Sequence, residues 1–159
     1  MLSNRLFNFC LVLRASPYYP LKILHNDEEL PEGRFSIESG ARLQRLRVVL
    51  SDQGAVVRGA VHQAKGDKPA AGIWVSVVPV EAERKGSEWV RSGRTDQQGH
   101  FVVEGIAPGR YFVPAYRDYR SLPANPSALE ALAAEHANLV PIVELKSRSQ
   151  KEMRLGVID

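Results

Sequence analysis

The sequence is short of cysteine and of long apolar runs, and each shortage excludes a class of protein or site. Cys10 is the only cysteine among 159 residues, so an internal disulfide and a zinc site built from several thiolates are both excluded. The longest uncharged stretch, Pro69–Val80, is broken by two prolines and is far shorter than the ~20 residues of a membrane-spanning helix. No membrane span is therefore expected in this chain.

The chain also lacks a large excess of positive or negative charge. The chain has 21 Lys and Arg against 18 Asp and Glu, which leaves a formal net charge of +3. Its basic residues are spread from Arg5 to Arg154, whereas a nucleic-acid site concentrates cations on one face. No nucleic-acid partner is predicted. A hydrophobic fraction of 44% with 25% charged residues is typical of a folded globular protein rather than a disordered one.

The first fifty residues read as a run of short strands. Leu6–Leu13 alternates in the manner of a strand, and Arg14 lies where a signal-peptide cleavage region should be neutral, so a strand is favoured over a signal peptide. Further strands are predicted at Tyr18–His25, where Pro20 favours a sheet edge, at Phe35–Ile37 and at Leu43–Leu50. Four strands are too few to close a sandwich. We therefore predict that residues 1–50 are the tail of a preceding β module.

Residues 54–159 have the pattern of a second unit, and the polar sequence Ser51–Gly54 is the predicted boundary. Short apolar strands bounded by Gly, Pro or Asp favour an all-β fold, an antiparallel sandwich of the Ig-like or prealbumin-like kind. One short helix is predicted over residues 126–136. Asn125 can cap it, Pro126 suits its first position, and Leu129 and Leu132 share one face.

Two reversals have informative turn chemistry. Asp96 stands at the start of the first turn and Gly99 where a positive φ is needed, which predicts a hairpin between the flanking strands. Gly105, Pro108 and Gly109 predict a second tight reversal.

Four ordered motifs within residues 54–116 resemble the carboxypeptidase regulatory-like domain, a prealbumin-like (transthyretin-like) β-sandwich with a carbohydrate-binding-like fold. The motifs are Gly54-x4-Gly59-x-Val61, Pro69-x2-Gly72-x2-Val75-x-Val77, Thr95-Asp96-x2-Gly99-x-Phe101 and Gly105-Ile106-x-Pro108-Gly109-x-Tyr111. The resemblance implies an accessory module without catalytic activity. It also implies a place near the C-terminal end of a larger, exported or envelope-associated bacterial protein.

Catalytic patterns are weak throughout, and neither a cofactor nor a metal is expected. The histidines His25, His62, His100 and His136 form no His-Glu-x-x-His helix, and the one His-x-x-Glu, starting at His25, lies outside the resembling segment. Tyr119-Arg120-Ser121 is similar to the terminal motif of the prealbumin-like hydroxyisourate hydrolases, but it lacks their glycine and lies within the chain. An enzyme of that type is the least favoured alternative.

The remaining functional signal is aromatic. If Val75 and Val77 face inward, strand alternation turns Trp74 outward, and the same parity applies to Phe112 and Tyr116. Together with Trp89, these rings could form a surface for an oligosaccharide. Alternatively they cover the sheet beneath the helix or a neighbouring domain, which is the favoured interpretation. The predicted partners are accordingly neighbouring domains or another protein, with oligosaccharide as the alternative.

Overall fold

Short strands separated by turn residues make up most of the molecule, as the alternating apolar pattern predicts. The computed structural model describes residues 5–8, 16–30, 34–37, 44–63, 66–81, 89–118, 126–137 and 139–158. Three features of the sequence lie outside the described residues: the first strand beyond Asn8, the Tyr119-Arg120-Ser121 motif and the Asn125 cap.

The N-terminal part of the chain forms two small antiparallel sheets. Strand β1 pairs with β4, and a second sheet has the order β3-β2-β5. The short β3 returns from β2 across a two-residue turn and adds to the four strands that were predicted. The bounds of these strands are β1 Arg5–Asn8, β2 Tyr19–His25, β3 Glu28–Glu29, β4 Arg34–Ile37 and β5 Leu46–Ser51.

Pro20 does not confine its strand to an edge, so this prediction was wrong. Strand β2 is the middle strand of its sheet. The missing N–H is tolerated because β3 pairs only with Leu24 and His25, which leaves β5 as the one described neighbour at Pro20. The β2–β5 register also shifts between Pro20 and Lys22, which relaxes the ladder at this point.

The rest of the chain is an all-β sandwich with one short helix, the predicted fold class. One sheet has the order β13-β6-β9, and the other has the order β11-β7-β10-β12 with β8 also on β7. The elements are β6 Ala55–His62, β7 Trp74–Pro79, β8 Arg91–Arg94, β9 His100–Ile106, β10 Gly109–Phe112, β11 Ala115–Tyr116, α1 Pro126–Glu135, β12 Ile142–Leu145 and β13 Gln150–Gly156.

Strand alternation builds the main core between the two sheets. In β9, Phe101 and Val103 are buried while Val102, between them, is 57% exposed. Burying a side chain of this size contributes about 1.5–3 kcal/mol. The fully buried side chains of this core include Val57, Val61, Val75, Val77, Tyr111 and Val113, with Leu145 and Leu155 packed beside them.

A second, smaller core lies outside the main one and holds the helix. Leu129 packs with Val78, Phe112 and Val140. Ten residues are too few for a stable isolated helix in water, so this tertiary packing is what stabilises α1.

Two features of the topology differ from the sequence-based expectation. Strand β13 runs parallel to β6, whereas the other ladders of the described residues are antiparallel. The turn after β8 does not close a hairpin within one sheet, because β8 pairs with β7 and β9 pairs with β6. That reversal instead carries the chain from one layer to the other. Just before this reversal, Gly93 lets β8 approach the backbone of β9 closely, since a Cβ there would lie 2.9 Å from the Val102 carbonyl oxygen.

Candidate functional site

The predicted aromatic surface is mostly covered. Phe112 and Tyr116 do turn away from the main core, but each is only 2% exposed. Helix α1 packs over Phe112 through Leu129. A sugar ring needs an open aromatic face for stacking, so neither residue can contribute to the glycan surface considered from the sequence. For Phe112 this agrees with the favoured interpretation from the sequence, in which the helix covers the outer aromatic face.

The Tyr116 hydroxyl begins a chain of hydroxyl groups that runs from the interior to the surface. Its Oη lies 2.5 Å from Ser76 Oγ, which lies 2.6 Å from Ser92 Oγ. Ser76 is 0% exposed and Tyr116 is 2% exposed, so these two hydroxyls satisfy each other inside the protein, whereas Ser92 at the far end is exposed.

The two tryptophans are half-buried. Trp74 pairs across the ladder with Tyr116, and the Arg94 guanidinium lies over its ring, 5.8 Å from the ring centroid. The Arg94 Nε also donates to the Gly72 carbonyl at 2.9 Å, which fixes the guanidinium in this place. A ligand stacking on that face of Trp74 would have to displace Arg94, so the geometry does not favour sugar binding there.

The predicted turn residues have specific structural partners. One Asp96 carboxylate oxygen accepts from the backbone N–H of Gln98 at 2.9 Å and of His100 at 2.8 Å. Gly99 has φ +78°, in the region that favours glycine. The Asp96 carboxylate is therefore occupied by the turn itself.

The second reversal is closed by a tyrosine. Tyr111 donates its hydroxyl to the Ala107 carbonyl at 2.6 Å, which ties β10 to the loop that contains Pro108. Gly105 has φ +67°, so glycine is needed at the start of this reversal. Gly109 begins β10 and pairs with Leu145.

The sequence did not reveal a close backbone contact between the N-terminal strands and the sandwich. We call residues 16–18, which lead into β2, the connector. A Cβ on Gly105 would collide with the Ser16 carbonyl oxygen and lie 2.7 Å from that of Tyr18. A Cβ on Gly54 would lie 2.5 Å from the Pro17 carbonyl oxygen. The connector thus lies directly on the backbone of both glycines, and we call this arrangement the junction.

A buried arginine supports the junction from within the sandwich. Arg91 is 7% exposed, and its Nε donates to the Gly105 carbonyl at 3.1 Å. Burial lowers the pKa of the Arg91 guanidinium, and the nearby Tyr111 opposes this shift. A buried cation needs acceptors, so this hydrogen bond fixes Gly105 in position opposite the connector.

The predicted boundary is also attached to the sandwich. The Gln53 carbonyl accepts from the Arg148 N–H at 3.1 Å and from the Ser147 hydroxyl at 3.3 Å. Both donors belong to the turn between β12 and β13. Asp52 adds an exposed ion pair with Arg148 at 3.7 Å, whose contribution is small because solvent screens it.

The one His-x-x-Glu pair of the sequence lies in a β-hairpin. His25 and Glu28 are opposite residues of the β2–β3 hairpin, which accounts for their sequence spacing. Within the residues described, no group of three or more His, Cys, Asp or Glu side chains is placed to hold a metal ion. No described helix is long and apolar enough to cross a membrane.

Comparisons with known proteins give little further information. No family model and no curated protein matches the chain. Among solved structures, it is similar to the major pilin subunit of Bacillus cereus, with 16% identity and a TM-score of 0.40. The match covers 65% of this chain but only 28% of the pilin chain. A likeness at this level indicates nothing about activity or partners.

Proposed function

We propose that this chain is a non-catalytic β-sandwich module that holds neighbouring parts of a longer protein in a fixed arrangement. The junction is the observation that carries the proposal. Gly54 and Gly105 let the connector approach the sandwich backbone more closely than any side chain would permit. A linker meant only to tether two units would not need such contacts.

The β2–β5 pair is attached to the sandwich both before β2 and after β5, which supports a stiff arrangement. The connector enters β2 against Gly105, and β5 leaves through Gln53, whose carbonyl is bound by the β12–β13 turn. The β2–β5 pair is therefore anchored to the sandwich at two separate points of the chain. Two anchors restrict rotation about either one, and that restriction suits a spacer.

Assignment to the carboxypeptidase regulatory-like family is part of the proposal. Three glycines of its motifs, Gly72, Gly99 and Gly105, have φ of +71°, +78° and +67°. A fourth, Gly59, lies so close to β13 that a Cβ would overlap the Met153 carbonyl. The motif positions thus coincide with backbone sites that require glycine, which supports the family without depending on overall similarity.

An exported or envelope location follows from that family and is the third part of the proposal. Fractionation of the source cells, with immunodetection of the native protein, tests it. Recovery in the envelope or medium is expected, whereas recovery in the cytoplasmic fraction alone would contradict it.

Spin-label distance measurements test the spacer role. Lys22→Cys on β2 and Lys151→Cys on β13 replace exposed residues of the two parts, in a Cys10→Ser background that removes the native thiol. Pulsed electron paramagnetic resonance should give one narrow distance distribution. The control pair, Arg110→Cys with Lys151→Cys, lies entirely within the sandwich and sets the width for a rigid body.

Adding Gly105→Ala should broaden the first distribution and leave the control unchanged, because only the first pair spans the junction. A broad distribution between positions 22 and 151 in the otherwise unaltered protein would refute the spacer role.

A further inference from the structure

Strand β5 has an apolar edge that the described structure leaves open. Among the residues described, β5 pairs with β2 alone. Leu46, Val48 and Val49 are half-buried, and Leu50 is 42% exposed. An edge of this composition readily adds another strand, and natural sheets usually block it with charge, proline or a covering element.

The charge on β5 is weak protection. Arg47 is the only charged residue in the strand, and its guanidinium pairs with Asp27 at 3.2 Å. By contrast, β13 at the edge of the sandwich exposes Lys151, Glu152 and Arg154. The two edges therefore differ in how readily a further strand can pair with them. Charged side chains discourage pairing at β13, whereas β5 presents apolar side chains.

The hydrogen-bond pattern shows which groups of β5 face the open edge. The Ile23 carbonyl accepts from the Leu30 N–H at 2.8 Å, so the backbone polar groups of Ile23 point toward β3. Val48 is the partner of Ile23 in the antiparallel β2–β5 ladder. Such a pair directs its N–H and C=O groups away from each other. The backbone groups of Val48 therefore point outward, and by alternation so do those of Leu46 and Leu50.

We propose that this edge binds β5 of a second copy of the chain, antiparallel, with the twofold axis at Val48. In that register Val48 lies opposite Val48 of the second copy, and Leu50 lies opposite its Leu46. Every outward N–H and C=O of the three residues then has a partner. The exposed Leu50 gains an apolar neighbour on the same face of the extended sheet.

Charge also favours a second copy as the occupant. Arg47 lies opposite Val49 of the second copy in this register, so the two Arg47 side chains do not face each other. The two Arg47 side chains are diagonal neighbours rather than directly opposite, and each is paired with Asp27 of its own copy, so the like-charge penalty is small. The result is a continuous sheet in which the two β5 strands are central. This proposal does not depend on the spacer role.

Analytical ultracentrifugation of the full chain tests the proposal. A contact of one strand is small, so association is expected within ~1–500 µM. Val48→Pro removes an outward N–H without removing a β2–β5 hydrogen bond, and it should leave the protein monomeric. Leu50→Lys should do the same by charging the edge. Leu21→Lys is the control, because it removes a leucine that is 54% exposed on β2 but leaves the edge intact.

A cross-linking experiment tests the register. In the Cys10→Ser background, Val48→Cys should oxidise to a covalent dimer, because opposite Cα atoms of such a pair lie about 5.5 Å apart, within disulfide reach. Leu50→Cys should not, since residue 50 of the second copy lies four residues along the strand from the position opposite Leu50.

Each outcome bears on the proposal. A protein that stays monomeric at all concentrations would overturn it, as would a dimer that survives both Val48→Pro and Leu50→Lys. Efficient cross-linking through position 50 but not through position 48 would overturn the twofold axis. Circular dichroism verifies that each variant is folded. If Val48→Pro does not fold, Leu50→Lys still shows whether the β5 edge is needed for dimer formation.

Discussion

Replacing Gly105 by alanine tests the junction most directly. The residue has φ +67°, where a non-glycine residue is less stable by about 1–2 kcal/mol. The new Cβ would also collide with the Ser16 carbonyl oxygen and lie 2.7 Å from that of Tyr18. Relieving this overlap requires the connector to move away, which adds about 1–2 kcal/mol of lost packing. We expect Gly105→Ala to lower the free energy of unfolding by roughly 2–4 kcal/mol.

Gly66→Ala provides the matched control. Gly66 also has a positive φ, +94°, but a Cβ there would meet nothing within 4 Å. Gly66→Ala should therefore lower the free energy of unfolding only by the cost of holding alanine at a positive φ, about 1–2 kcal/mol. Urea unfolding followed by tryptophan fluorescence and circular dichroism measures both variants. Equal losses in the two variants would refute the close contact at the junction, because the steric part would then be absent.

Three further changes test other parts of the structure. Gly99→Val should lower the free energy of unfolding by roughly 1–3 kcal/mol, since φ is +78° and a Cβ would lie 2.8 Å from the Val61 carbonyl oxygen; an unchanged urea midpoint would contradict this turn geometry. Leu129→Ala should cost about 2–5 kcal/mol by leaving a cavity beneath α1, and a loss below 1 kcal/mol would mean that the helix is not held by this side chain. The hydrogen bond and charge of Arg154 lower the pKa of Asp67 below its ordinary value of 3.8. The Asp67 interaction is therefore present above the ordinary pKa and is lost as the pH falls through the lowered one. Carboxyl NMR titration should show that low midpoint and its rise in Arg154→Ala, and identical midpoints in the two proteins would contradict the pairing.

The local alternation of apolar and polar residues was sufficient to predict most of the strands. The alternation at Phe101 and Val103 depends only on neighbours in sequence, and so do the turn residues Asp96 and Gly99. The helix face of Leu129 could likewise be predicted, because its period is local. These features are governed by backbone geometry within a few residues, and a single sequence contains that information.

Most long-range contacts could not be predicted. No local pattern indicated that β13 pairs in parallel with β6, because the two strands are distant along the chain and no turn links them. One such contact was expected: the apolar face of α1 needs a partner, and it covers Phe112 in line with the favoured interpretation of the aromatic face. Gly105 was assigned to a turn, but its second role opposite Ser16 depends on a segment far away in sequence. The junction consists mainly of contacts between segments that are distant in sequence.

The parallel β6–β13 ladder has a mechanical consequence. These are the first and last strands of the sandwich, and they pair from Val56 opposite Gln150 to His62 opposite Gly156. Because the strands run in the same direction, tension applied before Ala55 and after Gly156 pulls on opposite ends of the ladder. Its hydrogen bonds are then loaded together in shear rather than opened one after another. Stretching the chain between two anchors would therefore have to break these hydrogen bonds together before the two strands slid apart.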